Sequence, residues 1–369
     1  MSVQQLLDFA MQSDGRSAEP LKGLLISDGR PGNYHLAEGL VAAIERLRPV
    51  EVTRIEISQR RWTPTRFLAF LSNRGVRPEV VLRLGYGLTP DAVSGADFVA
   101  SGGGDTLGAN VAFSRLFDAP NYFYGSGKHY DVNNFDLVFT SHAKVATHSR
   151  HVRTMKPSPI DPDSMIQPAL SQSQPPALIG ILIGGNTSSI TFSESDLTRL
   201  VSFMRDMHAA TGTTFYVSNS RRTPQKLSDA LVRLAEENDS AIHQYIDVRS
   251  SGNGTLRALY AASSAILCTA DSSSMVSESV WLRRPTIAIT PSVFSLDASE
   301  LEYRGFLESN GWLHTMRIAD LAPDAVLAKL RSIRPLVENG LDLLADVFRQ
   351  RQPRLLAPTR AAEGLRVKA

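Results

Sequence analysis

The sequence lacks the features that mark three common classes of protein. It has a single cysteine, Cys268, so a disulfide framework is excluded, and the apolar run Ala265–Cys268 predicts that this thiol is buried in a strand. No run approaches the ~18 apolar residues of a membrane-spanning helix. Basic and acidic residues nearly cancel, at 39 against 37, so we expect no nucleic-acid partner. Any anionic ligand must therefore be held by local groups.

Signals for export, metal binding and nucleophilic hydrolysis are also missing. The opening Met1–Glu19 has no basic segment followed by an apolar one, so we predict no secretory signal. The compartment that we expect is the cytoplasm, which leaves open a peripheral contact with the inner face of the membrane. His35, His129 and His142 show no metal-ligand spacing, so no metal is expected. No Gly-x-Ser-x-Gly motif occurs, which disfavours a serine hydrolase.

The length of 369 residues and the order of apolar patterns predict two α/β domains. Short apolar runs typical of buried strands alternate with amphipathic helical patterns, which indicates βαβ units and parallel sheets. A stretch rich in Pro, Ser and Gln interrupts the alternation and is predicted to be a linker. We therefore expect two doubly wound, Rossmann-like domains facing a cleft. Their predicted bounds are 1–155 for the first domain, 156–177 for the linker, 178–335 for the second domain, and 336–369 for a C-terminal helix and tail.

Two turns of the second domain carry groups that suit a phosphate. Gly184, Gly185 and Asn186 follow an apolar strand, where glycines free backbone N–H groups to face an anion. The alternative is a plain tight turn. The next strand ends in Ser220 followed by Arg221 and Arg222, and guanidinium groups bind phosphate through forked hydrogen bonds. The alternative there is a solvated arginine pair at the start of a helix.

A third turn combines small hydroxylated residues with a carboxylate. Ser273 and Ser274 open a predicted helix, where they would provide capping and phosphate contacts. Glu278 stands about one turn into that helix, where its carboxylate could accept both hydroxyls of a ribose. Simple capping with a solvent-facing glutamate remains the other interpretation.

The first domain offers candidates for an acceptor site. Asp28 and Asp105 each follow a predicted strand, so either could act as a general base on an acceptor hydroxyl, although aspartate is also a common turn residue. His142 follows the strand Leu137–Thr140 and is a third candidate. Helices around Trp62, Phe67 and Phe70 are a further feature, since a wide exposed apolar patch there would fit a partner protein or a lipid-linked acceptor.

Four of these segments together resemble a known family. The segments are 27–33, 183–186, 220–224 and 269–278, and the resemblance spans residues 22–315. The family is named for a plant mitochondrial-fission factor of the ELM type, and its bacterial relatives are usually described as glycosyltransferases. The resemblance implies a GT-B fold in which the second domain binds a nucleotide-sugar and the first binds the acceptor.

The same resemblance implies roles for single residues. The segment Ser273–Pro285 is similar to the nucleotide-binding stretch of lipid-linked N-acetylglucosaminyltransferases, in which a glutamate holds the ribose, and Glu278 stands at that position. Gly184–Asn186 would correspond to the diphosphate loop. By the same resemblance, the C-terminal helix would cross back onto the first domain.

The expected function is a metal-independent transfer of sugar from a nucleoside-diphosphate donor to a cell-envelope or polysaccharide acceptor, either a glycan or a lipid-linked molecule. No cofactor besides the donor substrate is expected. Backbone N–H groups and Arg221 or Arg222 would stabilise the leaving diphosphate. Two alternatives stay open. One is a non-catalytic scaffold that recruits partners, as the plant namesake is thought to do, and the other is a nucleotide-sugar 2-epimerase.

Overall fold

The computed structural model describes residues 19–165, 168–251 and 256–356, which divide into two compact units. Of the described residues, unit 1 comprises those from 19 to 159 and from 340 to 356, and unit 2 comprises those between 160 and 339. The proline-rich stretch 156–177 runs across the first boundary. Of the leader, only Glu19 is described, and the tail from residue 357 lies outside the described residues.

Unit 1 is built on a six-stranded parallel sheet with the strand order β2-β1-β3-β4-β5-β6. Its central strands are apolar because neighbours cover both faces, and all five residues of the third strand are buried. The strands are β1 (Leu21–Ser27), β2 (Val50–Glu56), β3 (Phe98–Gly102), β4 (Asn121–Tyr124), β5 (Leu137–Thr140) and β6 (His151–Arg153).

Four helices connect the first strands of this sheet. They are α1 (Pro31–Glu45), α2 (Thr65–Asn73), α3 (Pro78–Tyr86) and α4 (Leu107–Phe117). The pattern of residues 80–84 fits either the end of a helix or a short strand, and in the structure these residues lie inside α3. That helix starts at Pro78, whose missing N–H costs nothing in the first turn, and ends at Gly87 in a left-handed conformation (φ 72°).

Unit 2 repeats the architecture with a parallel sheet in the order β10-β9-β7-β11-β12-β14 and a small antiparallel pair, β8 with β13. Cys268 is fully buried in β11, as predicted. The strands are β7 (Leu178–Leu182), β8 (Ile190–Thr191), β9 (Thr214–Ser218), β10 (Ile242–Ile246), β11 (Ala265–Thr269), β12 (Thr286–Thr290), β13 (Val293–Phe294) and β14 (Leu313–Arg317).

The longest helix in the described part of the chain is α5 of unit 2. It starts with a capping box between Ser193 and Asp196. The helices are α5 (Glu194–Thr211), α6 (Gln225–Ala235), α7 (Val248–Ser251), α8 (Leu256–Ala262), α9 (Ser273–Trp281), α10 (Ala298–Ser309) and α11 (Pro323–Ser332).

The chain returns to unit 1 with its last described helix, α12 (Gly340–Arg351). This helix packs on α1, and the ring of Phe348 lies 4.9 Å from that of Tyr122 and 5.2 Å from that of Phe139, centroid to centroid. Residues from both ends of the chain therefore share one core. Across the described residues, no helix has the length and the hydropathy needed to cross a membrane.

The strand order of each sheet reverses at one point, and parallel sheets usually bind ligands at that point. In unit 1 the first strand lies between the second and the third, so the strand order reverses between β1 and β3. In unit 2 the corresponding point lies between β7 and β11. Residues that follow these four strands are therefore the first to inspect.

Candidate functional site

A buried carboxylate organises the switch point of unit 2. The Gly185 N–H donates to Oδ2 of Asp271 over 2.9 Å, and the Thr269 hydroxyl donates to Oδ1 over 2.7 Å. The Arg222 guanidinium donates to the same Oδ2 over 2.9 Å. The Asp271 side chain is fully buried, while that of Arg222 is 47% exposed. One carboxylate therefore ties together turns that follow three neighbouring strands, β7, β9 and β11.

The two glycines of the first turn are required by close packing. A Cβ atom added at Gly184 would overlap the Asp271 carboxylate, and one added at Gly185 would overlap the backbone carbonyl of Arg222. The Gly184 N–H donates to the Thr269 hydroxyl over 2.6 Å. The N–H groups of both glycines are thus used inside the protein. The third residue, Asn186, accepts the Phe192 N–H with its side-chain Oδ1 over 3.0 Å, which holds the shape of the loop.

The arginine turn packs on the glycine turn. The Thr223 hydroxyl donates to the Gly184 carbonyl over 2.5 Å, and Ser220 accepts the Arg222 N–H with its hydroxyl over 3.2 Å. Arg221 is exposed and has no hydrogen bond or ion pair with any described residue. The two arginines therefore differ, because Arg222 is held by Asp271 while Arg221 extends into solvent.

The serine-rich turn begins α9. Ser272 caps this helix by accepting the Met275 N–H, Ser273 is the first helical residue, and Ser274 is exposed. Glu278 lies one turn further along and is half-buried. Burial raises the pKa of the Tyr260 hydroxyl well above its usual value, and the negative charge of Glu278 raises it further. The negative charge of Glu278 therefore acts on a buried residue of unit 2.

Arg304 is a buried member of this region that the sequence patterns do not indicate. It lies on α10, is 5% exposed, and donates through Nη2 to the Ala270 carbonyl over 3.1 Å. Its Nε donates to Glu300 over 2.8 Å. Its positive charge opposes the burial that raises the pKa of the Cys268 thiol. The Arg304 guanidinium thus stabilises the turn after β11 through its hydrogen bond to Ala270. No sequence motif on α10 would have singled out Arg304.

The switch point of unit 1 holds two aspartates and an arginine. Asp28 accepts the Asn33 side-chain N–H over 2.6 Å and the Arg30 backbone N–H over 3.1 Å, and its side chain is only 3% exposed. Asp105 is 37% exposed. The Arg30 guanidinium lies 3.8 Å from Asp28 and 3.2 Å from Asp105, so it joins the two predicted residues.

Lys128 stands beside these residues in a conformation that is unusual for a lysine. It follows β4 and has a φ of 47°, in the left-handed region that disfavours side chains with a Cβ atom. Its ammonium group lies over Gly104, next to Asp105, and would collide with a Cβ atom there. The side chain also lines a cavity of about 250 Å³ whose walls include Tyr130, Phe135 and Val138.

The third predicted residue of unit 1, His142, lies apart from the aspartates. It follows β5, which is two strands away from β3 in the sheet. Its Nδ1 is buried and has no hydrogen-bond partner, and no hydrogen bond or ion pair joins it to Asp28 or Asp105 in the described part of the chain. Across the described residues, no three His, Cys, Asp or Glu side chains come together in a way that could hold a metal ion.

Comparison with solved structures identifies the architecture. The chain is similar to the UDP-GlcNAc 2-epimerase of Neisseria meningitidis bound to UDP-GlcNAc, with a TM-score of 0.52 and 9% identity over 90% of this chain and all of that one. The UDP-GlcNAc 2-epimerase of Methanocaldococcus jannaschii gives a TM-score of 0.51 and 11% identity, covering 89% and 99%. MurG from Acinetobacter baumannii gives 0.48 and 12%, covering 90% and 100%. The protein has the GT-B fold, with two parallel six-stranded sheets and flanking helices.

A family model carries the identification further. The model of the mitochondrial fission ELM1 family matches residues 31–315. The chain belongs to that family, as its motifs predicted. No curated protein sequence matches it significantly.

Proposed function

We propose that the protein is a glycosyltransferase that takes a sugar from a nucleoside-diphosphate donor bound by unit 2. The observation that carries the proposal is the meeting of three strand-end turns around Asp271 at the switch point of the second sheet. A turn held this rigidly is pre-organised for a ligand, because no ordering cost remains when the ligand binds. The family and the GT-B fold support the same conclusion.

In this proposal the diphosphate lies against the start of α9. The N–H groups of Gly184 and Gly185 are already donated to Thr269 and Asp271, so they shape the site and do not bind the phosphates. The first turn of α9, at the exposed Ser274, presents the positive end of the helix dipole. Arg221 supplies an exposed guanidinium. Arg222 acts as a positioning residue, because Asp271 fixes it.

Glu278 is the proposed ligand of the ribose. Its position one turn into α9 places it beyond the diphosphate, and a half-buried carboxylate accepts two hydroxyl hydrogen bonds more strongly than an exposed one. The charge that develops on the leaving diphosphate is then neutralised by α9 and Arg221, without a bound cation.

The acceptor belongs to unit 1 in this proposal. Asp105 is the base that accepts the proton of the acceptor hydroxyl, because its carboxylate is partly exposed, whereas that of Asp28 is buried and already accepts hydrogen bonds from Asn33 and the Arg30 N–H. Lys128 and the neighbouring cavity of about 250 Å³ fit an acceptor with an anionic and an apolar part. A cell-envelope glycan or its lipid-linked precursor has that character.

Calorimetric titration with UDP, GDP, CDP and their sugar conjugates, with and without magnesium, tests the donor site. We expect one nucleotide to bind selectively and with no dependence on magnesium. Arg221→Ala should weaken that binding about ten- to hundredfold, since a hydrogen bond between two charged groups is lost. The matched control is Arg233→Ala, which removes an exposed arginine from α6 and should change nothing.

The products distinguish the catalytic alternatives. A transferase releases nucleoside diphosphate only as sugar moves to an acceptor, whereas a 2-epimerase converts the donor sugar without releasing the nucleotide. Folded protein that binds none of the nucleotides would contradict the donor site and would favour the scaffold. Selective nucleotide binding together with an epimerised donor sugar would support the donor site but would show that the reaction is epimerisation.

A further inference from the structure

One surface of unit 1 combines exposed aromatic rings with arginines. The exposed Trp and Phe side chains of the described residues all lie within residues 62–70: Trp62 is 63% exposed, Phe67 40% and Phe70 56%. Helical spacing along α2 places Phe67 and Phe70 on the side opposite the buried Leu68 and Ala69. We call residues 60–83 with these three rings the arginine-aromatic face.

The charge of this face is almost entirely of one sign. Residues 58–88 contain six arginines and one acidic residue, Glu79, which is half-buried, whereas the whole chain has a net charge of only +2. All six arginines are exposed. They are Arg60, Arg61, Arg66, Arg74, Arg77 and Arg83.

None of these six guanidinium groups forms an ion pair with a described residue. Many exposed arginines elsewhere do have a carboxylate partner within the same unit. Examples are the pairs Arg54–Glu38, Arg205–Glu237, Arg249–Asp247 and Arg317–Asp320. A face that gathers so many unpaired cations repels itself, and an anionic surface outside the molecule relieves that repulsion.

Two of the arginines lie on the aromatic rings themselves. The Arg60 guanidinium is 5.5 Å from the centre of the Trp62 ring, and that of Arg74 is 5.5 Å from the centre of the Phe70 ring. Such pairs keep an apolar body and a charged head within one side-chain length of each other. This is the composition of segments that lie at the boundary between lipid headgroups and acyl chains.

We propose that the arginine-aromatic face docks unit 1 on an anionic lipid membrane. Trp62, Phe67 and Phe70 enter the headgroup layer, and the surrounding guanidinium groups bind lipid phosphates. A membrane fits better than an acidic protein because the six charges spread over two helices, the loop before them and the turn between them, and a leaflet presents anionic groups over that whole area. The proposal stands without the glycosyltransferase function, since it uses no residue of either switch point.

Co-sedimentation with vesicles tests the proposal. The full chain should bind vesicles of phosphatidylcholine containing about a third phosphatidylglycerol, and high salt or vesicles of phosphatidylcholine alone should abolish the binding. Replacing three arginines of the face, R61Q/R66Q/R77Q, should lower the partition coefficient about a hundredfold. The matched control R233Q/R317Q/R349Q removes the same charge from exposed arginines elsewhere and should leave binding within about twofold of the unmodified chain.

Fluorescence gives a second readout that a general loss of charge would not move. Binding should shift the emission to shorter wavelength as Trp62 leaves water, and Trp62→Phe should remove that shift while retaining most of the binding. Arg→Lys at positions 61, 66 and 77 should restore vesicle binding. The proposal is wrong if the folded protein does not bind anionic vesicles, or if R233Q/R317Q/R349Q loses as much binding as R61Q/R66Q/R77Q. It is also wrong if the protein binds polyglutamate instead of anionic vesicles.

Discussion

The two sheets place carboxylates at equivalent points, but the surroundings of those carboxylates differ sharply. In unit 2, the Asp271 side chain is fully buried and receives hydrogen bonds from a backbone N–H, a hydroxyl and a guanidinium. In unit 1, Asp105 is 37% exposed and its ion-pair partner, Arg30, is 68% exposed. The same topological position therefore holds a fixed network in one unit and an open pair in the other.

The difference indicates that the two carboxylates have different roles. A buried, fully bonded carboxylate stabilises the turns around it, and removing one partner leaves a charge stranded in the core. An exposed pair contributes little to folding, and each partner can exchange the other for a ligand at small cost. Under the proposed function, unit 2 would present a rigid surface to the donor, while Arg30 and Asp105 would rearrange when the acceptor binds.

The largest effect should come from filling the space that the buried network uses. Gly185→Ala forces a Cβ atom into the Arg222 carbonyl, so we expect unit 2 to lose about 3 kcal/mol of stability or to fail to fold. Gly305→Ala is the matched control, because nothing lies within 4 Å of its added Cβ and it sits in α10, where alanine gains about 0.5–1 kcal/mol.

Urea unfolding followed by tryptophan fluorescence measures both variants, since Trp281 and Trp312 lie in unit 2. A Gly185→Ala protein with an unchanged midpoint would mean that the glycine turn relaxes freely. The contrast between a fixed and an open switch point would then be lost.

Matched amide substitutions test the contrast directly. Asp271→Asn keeps the shape but removes the charge that holds Arg222, so unit 2 should lose about 2 kcal/mol, a figure reduced from the fully buried case because Arg222 is half-exposed. Asp105→Asn should change the stability of unit 1 by less than about 0.5 kcal/mol. Equal losses in the two urea titrations would show that both pairs are structural.

Acid should reveal a smaller difference within unit 2. Hydrogen bonds from Arg249 lower the pKa of Asp247 to about 2, against a usual value of 3.8, even though burial opposes the shift. The stability that this ion pair contributes is present above pH 3.8 and is lost as the pH falls toward 2. Asp247→Asn should therefore flatten the decline of the urea midpoint of unit 2 over that range, and Asp105→Asn should leave it as it is. A decline that stays equally steep in Asp247→Asn would assign the acid sensitivity to other carboxylates.

The strands that the sequence predicts well are those buried on both faces. The predicted strand Leu137–Thr140 has the bounds of β5, and the apolar run Ala265–Cys268 covers all of β11 but its last residue. An uninterrupted apolar run of this kind marks a strand covered on both sides. The edge strands β6 and β14 were not predicted. Each has five residues or fewer and no unbroken apolar run, so it does not stand out from a loop.

The candidate site divides in the same way. The glycine, arginine and serine turns could be found because each directly follows an apolar strand. The role of Asp271 could not, since its partners Gly185 and Arg222 are 86 and 49 residues away in sequence and meet it only through the order of the sheet. Arg304 reaches the same turn from α10, a helix that was not predicted although Asp297 caps its start. Long-range pairing by topology is the information that local patterns lack.

A small effect of opposite sign is expected at Lys128, whose left-handed backbone (φ 47°) fits glycine better than lysine. If the ammonium group is held there for a ligand and not for folding, Lys128→Gly should keep or raise the stability of unit 1, by up to about 1 kcal/mol. The same variant should lower the affinity for an anionic acceptor. Lys128→Asn, which tolerates a left-handed backbone, should behave alike.

Hydrogen exchange of β4 and β5 measures the local stability, and the rate of sugar transfer at low acceptor concentration measures the affinity. Asp118→Gly, at a residue with a φ of 50° at the end of α4, is the comparison variant that relieves backbone strain away from the switch point. A loss of protection in Lys128→Gly would show that the lysine supports the fold. Unit 1 would then resemble unit 2, with its switch point built for stability, and the acceptor would have to be sought at another edge of the sheet.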